Sequence, residues 1–106
     1  MKKTATFTGT EYHADTPSGA HWRHYLLDPP MTYTEYNVEG QPYERSAAYV
    51  IVSAADVPLS GPETYIFPAT AKGEIDDFGE LEGSYRGGLD HRLALENAGY
   101  EVDGDD

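Results

Sequence analysis

Over most of this chain apolar and β-branched residues recur at every second position, and only one stretch carries helical punctuation. From Thr4 to His13, Ala5, Phe7 and Gly9 alternate with Thr6, Thr8, Thr10 and Tyr12, the period of a half-buried strand. Asp15-Thr16-Pro17-Ser18-Gly19 is a dense turn signal. His21 to Leu27 then alternates again, Trp22, His24 and Leu26 against Arg23, Tyr25 and Leu27, so the two strands are expected to form a hairpin. Asp28-Pro29-Pro30 should end the second strand, because neither proline can donate to a ladder. Thr32 to Glu39 reads as a third strand, turned by Gly40-Gln41-Pro42. Ala47 to Ala54 (AAYVIVSA) is the most apolar run and predicts a central strand buried on both faces, with Val50-Ile51-Val52 at the heart of the core. After a loop at Pro58–Pro62, Glu63 to Phe67 is expected to be a strand that stops at Pro68. A turn at Lys72-Gly73 leads into Glu74–Gly83, read as a polar loop with at most a short strand around Glu74–Asp76.

The helix is the most sharply specified element. Asp90 is a good N-cap, since its carboxylate can accept from an unpaired amide of the first turn. Leu89 and Ala94 stand where a hydrophobic staple would form. Gly99 suits the left-handed residue after the helix, with Leu95 and Tyr100 placed for the apolar contact of a Schellman ending. Glu101-Val102 adds a short edge strand, and 103–106 is an acidic tail. The expectation is therefore one domain over 1–102, of the α+β class: a small, mostly antiparallel β-sheet of four or five strands with one short C-terminal helix of about two turns.

Size and composition agree with that reading. A chain of 106 residues has room for one core. Nine tyrosines, three phenylalanines and Trp22 supply large buriable surfaces despite a hydrophobic fraction of only 39%. Cysteine is absent, which favours a reducing compartment, and no stretch has the apolar length of a signal-peptide core or a membrane span. The location expected on this reading is the cytoplasm. Charge is unevenly spread. Residues 1–53 hold four basic and six acidic side chains, a balance of −2, whereas 54–106 hold three and thirteen, a balance of −10. Such a field repels nucleic acid and anionic membranes, and it suits a basic protein surface.

His13, His21 and His24 cluster in sequence with Asp15 nearby, a set that can in principle bind zinc or nickel. Alternation sends His21 and His24 to opposite faces of one strand, so the expectation is ordinary surface histidines and no metal site. No serine sits in a G-x-S-x-G elbow, and pairs such as Glu80 and Glu82, or Asp76 and Asp77, lie in polar, glycine-rich sequence that reads as a solvated loop. No catalytic residue and no cofactor is expected. Ser84-Tyr85-Arg86-Gly87-Gly88 can form an anion nest in which Arg86, Gly87 and Gly88 face a phosphate or carboxylate. The competing reading is a turn-forming loop with Arg86 paired to one of the neighbouring acids.

Ser60 to Ala69 (SGPETYIFPA), Gly79 to Ser84 (GELEGS), Asp90-His91 and Ala98 to Val102 (AGYEV) resemble small orphan proteins of actinobacteriophages. The resemblance covers about Tyr49 to Val102. It implies a phage product acting in the host cytoplasm, and transfers no residue role. The expected function is a non-enzymatic binding protein that docks a basic, host-encoded protein partner through its acidic half. Asp76, Asp77, Glu80 and Glu82 would form the charged rim and Phe78 and Tyr85 the aromatic anchors. The alternatives are a sponge for a small phosphorylated ligand at Arg86, Gly87 and Gly88, and a virion accessory protein.

Overall fold

The computed structural model describes residues 2–14, 19–76 and 79–103. Six strands and one helix follow each other along the chain: β1 (Thr4–His13), β2 (His21–Tyr36), β3 (Pro42–Val57), β4 (Gly61–Ala69), β5 (Tyr85–Arg86), α1 (His91–Asn97) and β6 (Glu101–Asp103). They form one sheet in the order β5-β4-β3-β2-β1-β6. Every pairing is antiparallel except that of β6, which joins β1 in parallel, so the sheet is mixed as well as curled into a half-barrel. The α+β class and the antiparallel character are as the residue pattern predicts.

Long strands with irregular pairing replace the shorter elements expected. Asp28-Pro29-Pro30 does not end a strand. β2 runs through it, and the register jumps from Leu26 opposite Tyr49 to Met31 opposite Ala47. The unpaired residues are therefore absorbed as a wide bulge, where the missing proline donors cost no ladder bond. The third strand expected at Thr32–Glu39 is the far half of β2. Likewise Pro62 and Pro68 lie inside β4, opposite Asp56 and Val50, instead of bounding it.

The central run behaves as its composition requires. Val50, Ile51, Val52, Ser53 and Ala54 are all buried on β3, between β2 and β4. Tyr25 and Leu27 from β2, Val50 and Val52 from β3 and Ile66 from β4 pack on the inner face of the sheet against Ala94 and Leu95 of α1 and the C-cap residue Ala98. At its start the helix is capped by Asp90, whose carboxylate accepts from the Leu93 amide at 3.1 Å. At its end, Gly99 at φ 91 lets its own amide reach Glu96 O and that of Tyr100 reach Leu95 O, both at 2.9 Å, which is the Schellman pattern. Leu89 leaves half its surface in solvent, so the staple with Ala94 covers little area. No helix among the described residues is long and apolar enough to cross a membrane.

Candidate functional site

The far half of β2 overhangs the sheet. β1 pairs with β2 only as far as Asp28, so among the described residues no strand pairs with Met31–Tyr36 on the side away from β3. Across from this open edge the loop before β5 is held inward. Leu81 is buried in the core, its amide bonded to Ile66 O at 2.8 Å, and Ser84 Oγ caps the turn by donating to Leu81 O. Between the two lies a groove of about 330 Å³ lined by Thr32, Tyr33, Thr34 and Glu35 on one side and by Gly79 to Glu82 on the other. A second hollow of about 150 Å³ continues past Thr32 and Glu82 towards Lys3 and Tyr100.

The acids expected to act together are separated by this geometry. Glu80 and Glu82 are exposed at the groove, and neither makes an ion pair or hydrogen bond among the described residues. Asp76 is turned to the other strand of the overhang, 3.1 Å from Arg45 Nη2. The same guanidinium reaches Glu35 Oε1 at 3.4 Å, and Tyr33 first, then Glu35 and Asp76, raise the Arg45 pKa. Asp77 and Phe78 lie outside the described residues. Tyr85 is not an outward anchor: it is half-buried against the core on β5, opposite Thr64. The loop-like pattern of Glu74–Gly83 hid Leu81, whose single apolar side chain between two glutamates is what pins the groove wall.

Arg86 sits on an outer edge of the sheet, not in an amide nest. Its Nε lies 3.4 Å from Glu63 Oε2 and donates to the Tyr65 hydroxyl at 3.3 Å, while Tyr65 itself donates in a short bond to Glu63. The Gly87 amide is already bonded to Pro62 O at 2.8 Å, and Gly88 O accepts from Thr64 Oγ1. These groups are joined to β4 as a turn-forming loop would be, but the acid that pairs Arg86 is not one of its neighbours. The acid is Glu63, buried and distant in sequence.

The histidines divide. His24 is buried, not a surface residue: its Nε2 donates to Thr70 O at 2.8 Å, Nδ1 meets Thr8 Oγ1 at 2.7 Å, and the ring stacks on Tyr49. His13 lies directly opposite His21, as the hairpin predicts, with the rings stacked at 3.9 Å. Both point at Glu11, a residue that sequence reasoning passed over. Its carboxyl is held below its usual range, first by the hydrogen bond from His21. Asp15, the acid expected beside them, lies outside the described residues. No protein-family model, curated protein or solved structure matches this chain.

Proposed function

We propose that this is a non-catalytic binding protein that docks a basic segment of a protein partner in the groove between the far half of β2 and the Gly79–Glu82 loop. The observation that carries the reading is the groove between the far half of β2, which extends beyond its pairing with β1, and two exposed carboxylates, Glu80 and Glu82, that form no ion pair among the described residues. An extended segment laid in a groove beside a strand can gain main-chain as well as side-chain contacts. Lysine or arginine on that segment would find the carboxylates, and the −10 balance of residues 54–106 would steer its approach. Of the acidic residues named from sequence, Glu80 and Glu82 carry this function, whereas Asp76 is already paired with Arg45, which it shares with Glu35.

The test is an NMR titration with a short synthetic peptide alternating lysine and valine, beside its glutamate–valine counterpart. Amide signals of Thr32–Glu35 and Gly79–Glu82 should shift with the basic peptide only. E80Q/E82Q should weaken binding about tenfold, the sum of two partly exposed pairs, whereas Arg86→Ala should leave it unchanged. Equal binding of both peptides, or shifts confined to the β5 edge, would refute the groove as the docking site.

A further inference from the structure

Near the hairpin end of β1 and β2 three metal-ligating side chains converge without any help from the groove. A bulge brings them together. Phe7 faces Tyr25, yet Glu11 faces Arg23 and His13 faces His21, so β1 carries two more residues than β2 across this interval. Gly9, at φ 94, lies inside it. Without those two residues the register of Phe7 would set Glu11 opposite His21 and push His13 beyond the start of β2. With them, Glu11, His13 and His21 share one face, and their ligand atoms all lie within 4.8 Å of one another. Glu11 Oε1 is 2.6 Å from His21 Nε2 and 3.4 Å from His13 Nε2.

We propose that Glu11, His13 and His21 form a binding site for a divalent transition-metal cation, with zinc as the fitting ion. Two imidazoles and one carboxylate are the donor set of three-ligand zinc sites, in which water fills the fourth position. Ligands 2.0–2.1 Å from a tetrahedral ion stand about 3.3 Å apart. The His13–Glu11 separation already has about that value, the His21–Glu11 contact opens by less than 1 Å, no separation changes by more than about 1.5 Å, and the stacked rings of His13 and His21 tilt apart to aim both nitrogens at the ion. The side chains are 40%, 68% and 27% exposed for Glu11, His13 and His21, which leaves an ion access and its water room.

Supporting groups hold the least exposed ligand in place. His91, the first residue of α1, donates from Nε2 to His21 O at 2.8 Å and sets its ring edge-on to that of His21 at 4.7 Å. The hydrogen bond fixes the His21 backbone, and the edge-on ring contact limits how far the His21 ring can tilt. The expectation of no metal site rested on His21 and His24 diverging. They do diverge, and Glu11 takes the place that His24 cannot.

Calorimetric titration of the full chain with zinc chloride near neutral pH tests the site. One ion should bind per chain, and NMR should show the ring signals of His13 and His21 shifting while those of His24 stay. Glu11→Gln and His13→Ala, both at exposed positions that leave the fold intact, should each weaken binding by more than about 100-fold, beyond the 10–100-fold cost of losing an outer contact. Glu39→Gln, an exposed acid elsewhere, should bind as the wild type does. Absence of saturable one-to-one binding would overturn the proposal, as would wild-type affinity in the Glu11 and His13 variants or an equal loss in Glu39→Gln.

Discussion

Gly83 shows how much a single residue decides here. At φ 103 it is in the left-handed region, and a Cβ built on it would stand 2.3 Å from Ala94 O, 2.9 Å from Ala98 Cβ and 3.0 Å from Ile66 Cδ1. The absent side chain lets the loop carrying Leu81 press onto α1, so the backbone freedom and the close approach are both needed. Gly83→Ala should therefore destabilise the fold by about 2–4 kcal/mol, in the range of overpacked cores with added backbone strain. Urea unfolding would measure it, and a loss within 0.5 kcal/mol would show that the loop yields freely. Gly87, equally left-handed at φ 102, has open space around its Cβ position. The two glycines look alike in sequence. Only the packing of α1 distinguishes them.

Among the elements, the helix depends most on its ends. Seven residues are too few to be stable alone, so α1 persists through its caps and its buried face of Ala94 and Leu95. Asp90→Ala should cost about 1 kcal/mol by orphaning the Leu93 amide. Hydrogen exchange should show that loss first in α1 and β6, since β6 follows the helix directly and pairs with β1 over only three residues. Uniform loss of protection across all strands would mean that the helix is not a separable unit. Asp90 and Gly99 were legible from sequence because capping is a local interaction, complete within a few residues. The proline-bearing strands were not. Whether Pro29 and Pro30 end β2 or fall in a bulge depends on where the β3 partner places its carbonyls, information absent from residues 21–36 themselves.

For the molecule as a whole, alkaline pH is a direct probe of the closed core. Tyr100 is buried and donates to Pro29 O at 2.8 Å, tying the end of α1 to the β2 bulge, and burial raises its pKa above the ordinary 10.0. Tyr65 is raised too, first by its hydrogen bond to Glu63. In both cases the folded chain holds the phenol proton more tightly than the unfolded chain. Their contribution is thus fully present below about pH 10 and lost as pH rises through the native-state values. Thermal unfolding should show a midpoint falling above pH 10, and Tyr100→Phe should flatten that fall while costing about 1 kcal/mol at neutral pH for the lost hydrogen bond. A midpoint independent of pH between 9 and 11 would contradict this picture. The class of fold, the central strand with its buried Val50–Ala54 run, the β1–β2 hairpin and the helix boundaries were legible in the residue pattern, because alternation, turn residues and caps act between near neighbours. Ala48, in the same apolar run, nonetheless faces solvent. Tertiary structure alone decided that Leu81 seals a groove, that Asp76 is spent on Arg45, that Arg86 answers to Glu63 and that Glu11 joins His13 and His21. Each of those depends on strand register and on segments far apart in the chain, and a two-residue bulge suffices to change which side chains meet.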